Sequence, residues 1–334
     1  MTDDELIDIY YPGWSTGLAN SAAVLQSAIG RLSSGRIKCR LIRLAHTALA
    51  EDSRNDPPPA TMTRFGRVAI FLERLFSRPF MDRYKSRILV PNPEWLIPSD
   101  VDLSHQMIDT ILHKTRFSFE TLGAMFPGAR HHYIGFTSPE PLKTVRNYLD
   151  FCHFRGKATT RHTQLLLDVW RKRPDLPTLS AQAYGPDIAL RLGTWVGDGN
   201  VRLFLDYFAS HSQYFVELAQ GGLHLCTSAT EGFGHYINES RAMSAVIFTL
   251  DAAPMNELVA PDYGVLIPTT GSRPLNAGFS FETSADLIEE AIDRVLSLPV
   301  TEREAMGRRA RQAFEDDRSA FFRQFGEALE AIWS

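Results

Sequence analysis

Glu231 and Glu239 stand eight residues apart in the stretch EGFGHYINE. The apolar run Leu223–Cys226 predicts a strand ending just before it, and a helix starts near His235. Glu231 then lies in the loop entering the helix, and Glu239 about one turn inside it. Both carboxylates can face one ligand, and carboxylates accept hydrogen bonds from sugar-type hydroxyls. Gly232 and Gly234 let the loop backbone approach such a ligand closely. The amides of Phe233 and Gly234, with His235 opening the helix, favour an anionic group at the helix N-terminus. A second cluster follows the apolar run ending at Phe154, where RGKATTRHT supplies Arg155, Lys157 and Arg161. Fixed cations of this kind stabilise charge developing on a phosphate-type leaving group.

Weaker signals lie in the first half. Gly13-Trp14-Ser15-Thr16-Gly17 joins the first predicted strand to the first helix. Asn92, Glu94, Lys114 and Arg116 each follow a predicted strand, so they fall on the carboxyl edge of their sheet. Asp100-Val101-Asp102 resembles a metal-binding pair, but it sits in a polar loop before a strand and is set aside. His224 in LHLC reads as a core residue, and His131-His132 alternates across a strand, so at most one of the two enters a site. No Cys/His set has zinc spacing, and no metal is expected.

These residues need elements to position them. In the first half, strands are predicted at Ile7–Tyr11, Ile37–Leu44, Val68–Leu72, Arg87–Val90, Met107–His113 and His131–Phe136. Helices are predicted at Leu18–Leu32, with Leu18, Ala22, Leu25 and Ile29 on one face, and at Arg116–Phe126. Residues 53–67 are polar and proline-rich and read as a loop; 137–145, with two prolines, reads as a linker. In the second half, strands are predicted at Tyr148–Phe154, Leu179–Ala183, Val201–Leu205, Leu223–Cys226 and Ala245–Leu250. Helices are predicted at Thr163–Arg171, Ser212–Ala219, Tyr236–Met243 and from Ser284 onward. Strands alternating with helices imply parallel sheets. The expected fold class is α/β, with two doubly wound, Rossmann-like domains at 1–145 and 146–334 and a cleft between them as the default site.

The second half resembles the retaining glycosyltransferases of family 4, which have the GT-B fold. Glu231 and Glu239 match the family's E-x7-E signature, and Asp251 to Glu257, Tyr263 to Pro268 and the closing helices follow in the family's order. The resemblance implies transfer of a sugar from a nucleotide-diphosphate sugar, UDP- or GDP-linked, with no further cofactor. It implies that Glu239 binds the ribose, Glu231 the sugar, and Phe233, Gly234 and His235 the sugar and phosphate. Lys157 and Arg161 then hold the leaving diphosphate, Lys157 being favoured over Arg155 because four residues is close to the family's spacing. Gly13 and Gly17 match the loop that faces the donor phosphates, and Asn92, Glu94, Lys114 and Arg116 become acceptor-side candidates. The sequence departs from the family at Ser244-Ala245-Val246, where a G-x-P turn is usual, and at Ala252 and Ala253, where glycines are usual. A nucleotide-sugar epimerase and a non-catalytic nucleotide-sugar-binding subunit are the alternatives.

Composition sets the limits. The chain has 334 residues, 44% of them apolar and 22% charged, which fits a folded two-domain protein and not a disordered one. No apolar run suggests a membrane span, and the acidic N-terminus lacks the form of a signal peptide. Three scattered cysteines, Cys39, Cys152 and Cys226, fit buried thiols in a reducing, cytoplasmic setting. Net charge is −4, but the chain up to Arg146 carries 18 basic against 15 acidic residues, and the remainder 17 against 24. The mildly basic front half leaves room for peripheral association with the inner face of an anionic membrane. A glycan, a lipid-linked sugar or another hydroxyl compound is the expected acceptor; overall acidity disfavours modified DNA.

Overall fold

A computed structural model describes residues 5–44, 64–97, 101, 106–141, 143–154, 156, 160–182, 199–205, 208 and 210–333. The chain divides into two compact units: Met1–Pro139 with Pro274–Phe279 and Asp317–Ser334, and Glu140–Arg273 with Ser280–Asp316.

The first unit holds β1 (Leu6–Pro12), α1 (Thr16–Leu32), β2 (Lys38–Leu44), β3 (Val68–Leu72), α2 (Arg78–Met81), β4 (Ser86–Val90), β5 (Thr110–His113), α3 (Arg116–Gly123) and β6 (Arg130–Tyr133). Its six strands are parallel, in the order β2-β1-β3-β4-β5-β6. Every residue of β3 is buried, as a strand covered on both faces requires. The Ser15 hydroxyl accepts from Leu18 N and starts α1, which buries the expected Leu18, Ala22, Leu25 and Ile29. Beneath the sheet edge, His113 and His131 are joined at 2.9 Å, and His113 Nδ1 meets Ser118 at 2.9 Å. Burial, then the neighbouring histidines, pull the His113 pKa down to about 3, so His113 is a neutral packing residue.

The second unit holds β7 (Phe151–Phe154), α4 (Thr163–Lys172), β8 (Leu179–Gln182), β9 (Val201–Phe204), α5 (His211–Leu218), β10 (Leu223–Cys226), α6 (His235–Ala242), β11 (Val246–Leu250), β12 (Gly264–Ile267) and α7 (Ala285–Leu296). Its sheet is also parallel, in the order β12-β11-β10-β7-β8-β9. His224 is buried and bonded to Ser240, Leu218 O and Gly221 O, a core role as expected. Cys152 and Cys226 are buried free thiols, whereas Cys39 is half-buried.

Several strands are shorter than their apolar runs suggest. β5 begins at Thr110 because the Asp109 carboxylate accepts from the backbone and guanidinium of Arg87. β7 begins at Phe151 because Asn147 Oδ1 takes the amides of Leu149 and Asp150 into a turn. β6 ends at Tyr133 and α3 at Gly123, before Phe136 and Phe126. Residues 53–63 of the expected loop, and Ala183, lie outside the described residues.

The helical tail expected from Ser284 onward is present, whereas a hairpin before it was not expected. A hairpin of β13 (Gly271–Leu275) and β14 (Gly278–Glu282) precedes α7, and its tip belongs to the first unit. There Asn276 Nδ2 donates to Glu94 O at 2.7 Å, and Ala277 enters the hydrophobic core. The final helix, α8 (Val300–Trp333), runs 34 residues and passes to the first unit at Asp317. Its Phe321 and Phe325 are fully buried there, Phe321 edge-on to Phe136. Among the described residues no helix is long and apolar enough to cross a membrane.

Candidate functional site

In the second sheet, β8 and β9 follow β7 to one side, and β10 returns to its other side. The order therefore reverses between β7 and β10, the point where open parallel sheets bind ligands. The loop leaving β7 carries Arg161, and the loop leaving β10 carries Ser228 to Gly234. The two loops are stitched together: Thr227 Oγ1 donates to Arg161 O at 3.0 Å, and Ala229 N to Thr160 O at 2.7 Å.

Arg161 is a fixed cation. Nη1 donates to Phe154 O at 3.1 Å, and the guanidinium lies over the Tyr236 ring at 3.6 Å. Nη2 is 3.6 Å from Glu231 Oε1, while Nε is buried with no hydrogen-bond partner among the described residues. Glu231 also accepts from Ser228 Oγ at 2.7 Å. Ser228 Oγ lies 2.7 Å from Tyr236 Oη and has only one proton, so Tyr236 donates to Ser228 and Ser228 to Glu231. Burial raises the Tyr236 pKa well above the ordinary phenol value, which keeps its donor proton.

Glu239 is buried inside α6. Tyr214 Oη donates to its Oε2 at 3.3 Å, and His211 Nε2 lies 4.0 Å from Oε1. Burial pushes its carboxyl up to about 8, against the opposing pull of Tyr214 and Arg161. Tyr214 and His211, both on α5, were not singled out from sequence. No spacing ties them to the glutamates, because α5 and α6 are separated in sequence by β10 and come together only in the fold. The helix itself starts at Gly234, whose φ of +95° suits glycine and whose position offers no capping side chain. No N-cap side chain takes up the first amides of α6. Phe233 is buried edge-on to the half-buried His235.

The second-unit candidates Arg161, Glu231, Phe233, Gly234, His235 and Glu239 therefore share one loop–helix corner. Lys157 and Arg155 lie outside the described residues, as do Asp100 and Asp102. A cavity of about 550 Å³ in the same unit, lined by Asp251, Arg294, Glu302 and Arg309 among others, includes none of these groups. Among the described residues no three His, Cys, Asp or Glu side chains are grouped to hold a metal ion.

In the first unit the candidates separate. Gly13 N donates to Leu44 O and its carbonyl accepts from Arg43 Nη2, both at 3.0 Å, and a Cβ there would collide with Arg43. Its glycine identity thus has a packing cause, and its own amide is not left for a phosphate. Gly17 lies in the first turn of α1. Asn92 and Lys114 are hydrogen-bonded to each other, Glu94 is buried, and Arg116 is exposed with its guanidinium 5.0 Å from the Tyr133 ring centre.

No family model matches the chain, and no curated protein sequence does. Solved structures do. Sucrose-phosphate synthase from Thermosynechococcus elongatus is similar over 98% of this chain and 99% of its own, with a TM-score of 0.71 and 10% identity. HepE from Anabaena, solved with UDP-glucose, is similar over 98% and 99%, with a TM-score of 0.67 and 12% identity. The pneumococcal O-GlcNAc transferase GtfA, solved with UDP and GlcNAc, is similar over 79% of this chain, with a TM-score of 0.60 and 17% identity. The chain matches only 56% of the length of GtfA. Two six-stranded parallel Rossmann-like units in this order, shared with sucrose-phosphate synthase and HepE over 98% of the chain, give this protein the GT-B fold.

Proposed function

We propose that the chain is a retaining glycosyltransferase of the family 4 type, moving a sugar from a nucleotide-diphosphate sugar to a hydroxyl acceptor. The observation that carries this reading is the corner where Arg161, Glu231 and Glu239 meet an uncapped helix N-terminus at the switch point of the second sheet. A nucleotide-diphosphate sugar has a ribose diol, a diphosphate and a sugar in a row. Glu239 accepts from the ribose hydroxyls, Arg161 and the α6 amides hold the diphosphate, and Glu231 accepts from the sugar. The likeness to proteins solved with UDP and UDP-glucose supports a UDP-linked donor.

In the reaction the bond from the anomeric carbon to the diphosphate oxygen breaks as the acceptor oxygen joins the same face. The acceptor proton passes to the departing phosphate oxygen. Arg161, with Lys157 beside it in sequence, stabilises the charge that builds there, so a divalent ion is not required. The first unit presents the acceptor, a glycan, a lipid-linked sugar or another hydroxyl compound.

A screen of UDP-, GDP- and ADP-sugars with the purified chain tests this. Release of nucleoside diphosphate from at least one donor, undiminished by EDTA, is expected. Failure to bind or cleave any of them would remove the reading, and conversion of the donor to its epimer would favour the epimerase.

A further inference from the structure

The first sheet has a switch point of its own. β2 lies on one side of β1 and β3 on the other, so the order reverses between β1 and β3. The residue leaving β3 is Glu73, and its φ of +64° is one that residues other than glycine seldom adopt. Asn92 Nδ2 donates to Glu73 Oε1, and Lys114 Nζ donates to Asn92 Oδ1. These three side chains stand at or just beyond the carboxyl ends of β3, β4 and β5, three adjacent strands. Lysine can only donate, so it fixes the Asn92 amide and turns its NH₂ group to the carboxylate. Lys114 is buried, whereas Glu73 and Asn92 are half-buried. Among the described residues Glu73 Oε2 makes no hydrogen bond.

A buried lysine and a carboxylate in a left-handed conformation are both costs to the fold. Apolar side chains would satisfy this edge of the core without either. Burial lifts the Glu73 carboxyl to about 7, against Lys114, Asn92 and Arg74, so above that pH it is ionised and accepts hydrogen bonds from hydroxyls. Aromatic surface adjoins the cluster. The Arg74 guanidinium, next in sequence to Glu73, is 5.8 Å from the ring centre of Trp14 in the β1 loop. Trp95, on the turn that follows Asn92, is 61% exposed. An oriented carboxylate at a sheet edge whose loops also carry tryptophans suits a ring that carries hydroxyls on its rim and C–H groups on its faces.

We infer that Glu73, oriented by Asn92 and Lys114, is the hydroxyl-accepting residue of a carbohydrate acceptor site in the first unit. This deepens the transferase reading and rests on it for the word acceptor. Ligand-observed NMR on the purified full chain tests the site, using methyl α-glucoside, methyl α-mannoside, myo-inositol and glycerol as probes. UDP-glucose affinity and a thermal melt are measured in parallel. At least one ring polyol should bind the wild type, and Glu73→Gln should weaken it about tenfold while UDP-glucose affinity and the melt stay unchanged. Glu73→Asp should recover part of the loss. Should Glu73→Gln fail to fold, Trp14→Ala takes its place and should weaken the same probe. Equal polyol affinity in wild type and variant, no polyol binding at all, or binding of glycerol alone would overturn the inference. Absence of UDP-glucose binding with polyol binding intact would instead count against the transferase reading.

Discussion

Arg161 is gripped by Phe154 O, the Tyr236 ring and Glu231 before any ligand arrives, so its charge is preorganised. If it stabilises the leaving diphosphate, Arg161→Ala should lower kcat by about 10²–10³ with a smaller rise in donor KM. Arg161→Lys should restore part of the rate, since a point charge remains but the planar contacts are lost. Steady-state kinetics on both variants, with melts to confirm folding, checks this. Glu239 gives a pH signature. Its carboxyl is raised to about 8 in the free protein, so below that pH it is protonated and, if it holds the ribose as proposed, a poorer acceptor for the diol. UDP-glucose affinity should therefore rise several-fold from pH 6.5 to 8.5, following the carboxyl as it ionises. In Glu239→Gln the rise should vanish; calorimetric titrations at the two pH values read it directly. Arg161, Glu231 and Glu239 were legible in the sequence because each lies in a short local pattern. Tyr214, His211 and Glu73 were not, because their importance comes from neighbouring strands and helices, which spacing along the chain does not encode.

The turn after α6 gives a physical reason for the glycine that the resemblance leads one to expect at Ser244. Ser244, where glycine is usual, has a φ of +64° and sits at the helix C-terminus, with Ala245 N donating to Ser240 O at 3.1 Å. Glycine there would relieve a left-handed strain of about 1–2 kcal/mol and give back part of it as chain entropy. Ser244→Gly should thus stabilise the protein by about 0.5–1 kcal/mol, visible as a rise of about 2 °C in Tm. At this scale most of the sheet strands could be read from apolar runs, β3 and β10 to the residue. Their ends could not, because Asn147 and Asp109 capture amides through side chains that an apolar count ignores. The β13–β14 hairpin escaped altogether: GSRPL is polar and exposed, and its role shows only when Ala277 is found in a core far away in sequence.

The molecule as a whole is two units whose chain is not cleanly divided. The first unit takes in Pro274–Phe279 and Asp317–Ser334, residues that follow most of the second. Phe321 and Phe325 are fully buried in it, each contributing about 1.5–3 kcal/mol of burial. Against a typical margin of about 5–15 kcal/mol, deletion of residues 317–334 should unfold the first unit. Limited proteolysis of the truncated chain should then cut within residues 5–139 and spare residues 210–316, and UDP-glucose binding should persist. The same feature orders events on the ribosome. All six strands of the first sheet emerge early, yet the Phe321 ring that packs on Phe136 and the hairpin tip that enters the core are translated only after the second sheet. A nascent chain therefore carries an open apolar surface through the synthesis of an entire second sheet, and that surface is covered only once residue 325 has left the exit tunnel.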